Sequence, residues 1–137
     1  MEEEIEDRAW IFAANDAKAV HEARHDYMSH LHRYGRPDSD FHAAELVFGE
    51  LVGNVLHHGE GNVEVRLEWG GDTPALRVSD DGPGFQLRAT LPKDVMSEKG
   101  RGLYLATALT QDLRIFRNPN GGAQVCAVLP VYRVPKR

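Results

Sequence analysis

The sequence predicts an α+β protein: a two-layer sandwich with helices packed on one face of a mixed, mostly antiparallel sheet. Three observations carry this expectation. Two segments near the start repeat apolar residues at helical spacing. Short alternating runs follow in hairpin-like pairs, divided by glycine, proline, asparagine and aspartate. No linker-like stretch interrupts the chain of 137 residues, so one domain over residues 1–137 is expected.

The elements follow in order. RAWIFAA, residues 8–14, reads as a first strand. Asn15 or Asp16 then offers a side chain to cap a helix running to about Tyr34. Ala17, Val20, Ala23, Tyr27 and Leu31 form its apolar face, and Gly35 and Pro37 end it. Ser39 or Asp40 caps a second helix, about Phe41 to His58, with Ala44, Val47, Phe48, Leu51 and Val55 as its buried stripe. Gly59 stops it.

NVEVRLEW, residues 62–69, alternates as a half-buried strand should. GGDTP turns the chain into the strand ALRVS, residues 75–79. Residues 85–99 have weak periodicity and read as a loop or lid. A glycine-rich turn leads into a third helix, Gly102–Thr110. Leu113–Arg117 and Ala123–Leu129 are the last strands, joined by NPNGG. The expected order is β-α-α-β-β-α-β-β. Cys126, in an alternating strand, is expected to be a small core residue.

Composition narrows the function classes. Apolar residues make up 42% and charged residues 27%, as in soluble globular proteins. The net charge of -5 is the wrong sign for a binder of duplex nucleic acid. A single cysteine cannot form an internal disulfide or a cysteine metal site. No apolar run approaches a membrane span. The acidic start MEEEIED does not suit a secretory signal, so a reduced, cytoplasmic setting is expected, without direct nucleic-acid or membrane contact.

HEARH, His21 to His25, has the H-E-x-x-H spacing of zinc proteases. A catalytic zinc normally needs a third protein ligand, and no downstream residue stands in a recognisable zinc-ligand context. The buried stripe passes through Val20, Ala23 and Tyr27, leaving both histidines to its side. A polar helix face is therefore the preferred reading over a zinc hydrolase.

Three other stretches concentrate chemistry. In ELVGNVLHHG, Glu50, Asn54 and His58 are spaced i, i+4, i+8 and form a polar stripe beside the apolar one. Gly53 and Asn54 are poor helix-interior residues, a cost that function can justify. An asparagine oxygen suits Mg²⁺, and a glutamate one turn earlier could accept a proton. The plain alternative is a half-buried stripe bonded to nearby backbone. In VSDDGPGF, a strand ends in a carboxylate followed by glycines two apart, which lets a ligand approach the backbone. The alternative is an acidic turn. In KGRGLYLATAL, Gly100 and Gly102 precede a helix, whose free N–H groups favour phosphate, and Lys99 and Arg101 add positive charge. The alternative is a helix entry with solvated charges. Neither a P-loop nor the V-A-I-K, H-R-D and D-F-G motifs are present.

Taken in this order, E-x-x-x-N on a helix, D-x-G-x-G after a strand and G-x-G before a helix resemble the GHKL (Bergerat-fold) ATP-binding domain. Histidine kinases and type II topoisomerases share this domain, and the resemblance covers nearly the whole chain. Glu50-Leu-Val-Gly-Asn54 followed by His58-Gly59 looks most like the bacterial anti-sigma factor serine kinases. The ending GG-x-x-V-x-x-x-LP, residues 121–130, fits as well.

The resemblance implies ATP and Mg²⁺ as cofactors. Asn54 would hold the Mg²⁺ that bridges the phosphates, with His58 in the same nucleotide-binding stripe. Glu50 would be the general base for a serine hydroxyl. Asp80 would accept from the adenine amino group, and Gly82 and Gly84 would let the base approach. Residues 85–99 would form a short nucleotide lid. Gly100, Arg101, Gly102 and Leu103 would offer backbone N–H groups to the phosphates. Arg101 or Lys99 could stabilise charge on the γ-phosphate.

Such proteins typically phosphorylate a serine on a STAS-domain antagonist and sequester a sigma factor, and they commonly form homodimers. Arg24 matches an arginine of the first helix that can contact the sigma factor. His21 and His25 would then flank a partner-facing position. Departures are visible: Ala123 stands where a threonine is frequent, Glu98 where the lid is often basic, and Val55 where alanine is common. The alternative reading keeps ATP as a switching ligand without phosphotransfer. A detached histidine-kinase catalytic domain is a third reading, disfavoured by His58-Gly59 and the short lid.

Overall fold

The computed structural model describes residues 6–58, 61–80, 109–110, 112–117 and 123–134. Strand β1 (Arg8–Ala13) leads into helices α1 (Ala17–Tyr34) and α2 (Phe41–His58). Strands β2 (Asn62–Glu68), β3 (Ala75–Asp80), β4 (Asp112–Arg117) and β5 (Ala123–Val128) follow. The sheet order is β1-β2-β3-β5-β4. Every pairing among the described strands is antiparallel, so the parallel part allowed for by a mixed sheet is not found among them. Of the expected third helix only Leu109 and Thr110 are described; Leu109 is helical and packs against the core, Thr110 lies in a bend, and the rest falls outside the described residues.

Local chemistry sets the helix boundaries. Asp16, rather than Asn15, caps α1: its carboxylate accepts from the Ala19 N–H at 3.0 Å. Asp40 caps α2 in the same way through the Ala43 N–H, also at 3.0 Å. Ser39 is thereby free for another task, and its Oγ accepts from the Tyr132 N–H at 2.9 Å. At the end of α1 the Gly35 N–H donates to the Leu31 carbonyl. Gly35 has extended backbone, φ −90°, so its need is for room. A Cβ there would sit 2.7 Å from both the Leu31 oxygen and Val131 Cγ1.

The core lies between the helices and one face of the sheet. Alternation puts Val63, Val65 and Leu67 of β2, Leu76 and Val78 of β3, and Val125 and Ala127 of β5 on that face. Helix α1 contributes Ala23, Tyr27 and Leu31, and α2 contributes Ala44, Val47, Phe48, Leu51 and Val52. Each large side chain buried here contributes about 1.5–3 kcal/mol of transfer free energy. Tyr27 and Phe48 pack with ring centroids 4.7 Å apart.

Cys126 falls on the other phase. It sits in the strand position between Val125 and Ala127 and is half-buried on the face turned away from α1 and α2, not in the core as expected. Its register neighbours are Arg77 and Arg114, so the row crossing three strands there is polar. Burial pushes the thiol up from its ordinary value. Glu68 pairs with Arg77 and Arg66 on the same face, and Asp112 pairs with Arg114.

After β5 the chain crosses back under the helix layer. The Leu129 N–H donates to the Pro74 carbonyl, and the Arg133 N–H to that of Asp72. On the other side the N–H groups of Arg36 and Asp40 donate to the carbonyls of Tyr132 and Pro130. This strap ties the α1–α2 turn to the β2–β3 turn, at the end of the sheet away from Asp80.

Candidate functional site

The candidate residues that the structure describes are grouped towards the end of the sheet where β3 finishes. Asp80 is the last residue of β3 and pairs in register with Val63 near the start of β2. Only three residues separate the end of α2 from β2. The C-terminal half of α2 therefore reaches the same end of the sheet as Asp80, and α2 packs on both β2 and β3. Chain connectivity alone thus brings two of the three motif stretches together.

Asp80 follows the inward phase of Leu76 and Val78 and is 2% exposed. A carboxylate so placed faces the layer covered by α2. Burying a carboxylate is costly unless polar hydrogens meet it.

Glu50 lies on α2, half-buried beside the core positions Leu51 and Val47. Gly49 and Gly53 flank it on the helix and are exposed. A Cβ built on either would meet nothing within 4 Å. Packing among the described residues therefore does not require glycine at either position. What their absence of side chains provides is a bare strip of helix beside Glu50, along which a ligand or peptide can come close.

Asn54 and His58 continue the stripe of Glu50 along α2, four and eight residues on. The helix backbone spans both positions, while their side chains fall outside what is described. Gly82, Gly84, Lys99, Gly100, Arg101, Gly102 and Leu103 lie outside the described residues. The proposed lid at 85–99 lies there too. The chain leaves β3 at Asp80 and enters β4 at Asp112, so these residues belong to the connection that starts at the site.

Arg24 stands apart, on the exposed side of α1. Its guanidinium lies 3.5 Å from the Glu45 carboxylate of α2, with 46% and 39% of the two side chains exposed. Glu45 was not singled out by sequence reasoning, although a charged residue inside an otherwise apolar run of α2 was a usable signal. His21 and His25 are exposed beside Arg24. Among the described residues no group of three or more histidine, cysteine, aspartate or glutamate side chains could hold a metal ion.

No helix of the described residues is long and apolar enough to cross a membrane. The fold matches the solved structure of the Acinetobacter baumannii histidine kinase AdeS with a TM-score of 0.51 and 15% identity. The match covers 93% of this chain and 68% of that one, and at this identity the likeness is one of fold. No curated protein matches the chain significantly. Residues 12–129 match the family described as the histidine kinase-like ATPase domain. This span contains Glu50, Asn54 and Asp80 with the core that positions them, and the chain belongs to that family of ATP-using, kinase-like domains.

Proposed function

We propose that this chain is an ATP-dependent protein-serine kinase and anti-sigma factor. It would phosphorylate a STAS-domain antagonist and hold a sigma factor in a partner-switching system in the cytoplasm. The observation that supports this most directly is Glu50. It is a half-buried carboxylate on α2 beside the strip bared by Gly49 and Gly53, on the helix whose C-terminal half reaches the end of the sheet where Asp80 is buried. A domain that only bound nucleotide would have no need of an accessible base beside an open strip.

In this reading the Asp80 carboxylate accepts from the amino group of adenine. Asn54 would hold Mg²⁺, which would supply positive charge against the phosphates, and the residues from Gly100 to Leu103 would offer backbone N–H groups to them. Glu50 takes the proton of the substrate serine as its oxygen attacks the γ-phosphorus and ADP leaves. Arg24 contributes to the partner-facing side of α1, and a homodimer is compatible with this reading.

Glu50→Gln tests the assignment. It should abolish phosphoryl transfer to a serine-bearing STAS-domain protein while ATP binding survives. Undiminished transfer in the variant would remove Glu50 as the base. The second reading, a binding module in which ATP switches partners without phosphotransfer, draws on Ala123 at the start of β5, where related proteins often carry threonine. Wild-type protein that binds ATP but transfers no phosphate to any STAS-domain substrate would favour it.

A further inference from the structure

His30 is the buried titratable group that the nucleotide-site reading does not use. It is 8% exposed on α1, one residue before the core residue Leu31. Its Nε2 accepts a hydrogen bond from the Trp69 indole Nε1–H at 3.0 Å. Trp69 lies just past β2, is 9% exposed, and its backbone N–H donates to the Asp7 carboxylate at 2.9 Å. Asp7 in turn immediately precedes β1. The three residues form a chain of contacts, His30–Trp69–Asp7, that joins the C-terminal half of α1 to the β1–β2 edge of the sheet.

The bond from Trp69 has one possible direction. An indole N–H only donates, so the imidazole nitrogen must carry a lone pair. Protonation converts that nitrogen to a donor, and two N–H groups would then face each other in a buried contact. We propose that this pair is a proton-operated latch. The neutral imidazole holds the end of α1 on the β1–β2 edge, and protonation of His30 releases it.

The surroundings favour the latched state at neutral pH. The groups facing His30 are Asp7 and Arg8 at the start of β1, Arg33 and Tyr34 on α1, and Trp69 itself. Burial, then Arg8 and Arg33, hold its pKa below the ordinary histidine value, against the opposing pull of Asp7. In the unfolded chain the imidazole takes up its proton near about pH 6.5. The native state binds it only at lower pH, so stability falls as pH drops below that value. The latch opens as pH passes through the lowered native value. Neither step involves ATP, so the proposal stands or falls apart from the nucleotide-site reading.

The test is a pH titration of the full chain by NMR, following the His30 ring and the Trp69 indole N–H together. The two indole signals of Trp10 and Trp69 are assigned with Trp10→Phe. Exchange of the Trp69 indole N–H with solvent should rise roughly tenfold in step with His30 protonation. Protection of the Val78 amide in the central strand should persist through the same step. His30→Gln, which keeps an acceptor that does not titrate, should give a flat profile. If that variant does not fold, Trp69→Phe serves instead and should move the His30 titration. A Trp69 signal indifferent to His30 protonation would overturn the proposal. So would simultaneous loss of Val78 protection, which would mean global acid unfolding.

Discussion

The Tyr27 hydroxyl donates to the Ala44 carbonyl at 2.8 Å, joining α1 to α2 inside the core. Tyr27 is fully buried, and burial pushes its phenol well above the ordinary tyrosine value, with the Glu45 charge adding in the same sense. The phenol therefore stays protonated, and a donor, at neutral pH and well above it. Helix α1 is thus fixed to the helix that carries Glu50 by this buried hydrogen bond and by the tilted ring contact of Tyr27 with Phe48. Tyr27→Phe should cost about 1 kcal/mol of stability, the net worth of a typical buried hydrogen bond. Phe48→Ala should cost about 3–5 kcal/mol, because it also leaves a cavity. Urea unfolding of both variants checks the two values and their order.

Gly35 and Gly49 should respond to alanine with opposite signs. At Gly35 a methyl group would collide with the Leu31 carbonyl and Val131, at the point where the C-terminal strap crosses the α1–α2 turn. Gly35→Ala is therefore expected to destabilise by about 1–3 kcal/mol, as overpacking does.

At Gly49 the added methyl meets nothing within 4 Å and the residue lies inside a helix. Gly49→Ala is expected to stabilise by about 0.5–1 kcal/mol. The same variant should slow phosphoryl transfer if the bare strip beside Glu50 admits the substrate. A gain in melting temperature with full activity would show that the strip is not used.

The Arg24–Glu45 pair should matter little for folding. Both side chains are well exposed, and pairs of this kind contribute about 0–1 kcal/mol. Arg24→Ala should leave the denaturation midpoint nearly unchanged while weakening capture of a sigma factor in a pull-down with purified partners. Equal loss of stability and capture would assign Arg24 a folding role instead.

Much of this architecture was legible in the sequence. The two long helices and the order of the strands along the chain follow from periodicity, because an amphipathic helix or alternating strand must declare its buried face along the chain; the order of strands within the sheet does not. Asp80 was legible as the carboxylate at which a strand runs into DDGPG, whereas its inward phase is a finding of the structure. The phase of β5 was misread at Cys126, since Val125 and Ala127 leave the thiol on the face turned away from α1 and α2 and a short strand of small apolar residues does not announce its phase. Choices between adjacent caps were also out of reach. Asn15 against Asp16 and Ser39 against Asp40 are decided by geometry of the turn, and in the second case by the need of the Tyr132 N–H for Ser39. The strap and the His30–Trp69 contact join residues 39 or more apart and depend on packing that no local pattern encodes.

The claim at the centre is that this end of the sheet binds ATP with Mg²⁺, through Asp80 and Asn54. Calorimetric titration of ATP into the wild type and Asn54→Ala, each with and without Mg²⁺, tests it most directly. The account predicts wild-type binding that depends on Mg²⁺ and collapses in Asn54→Ala. Absence of wild-type binding, or binding that ignores both the metal and the substitution, would contradict it.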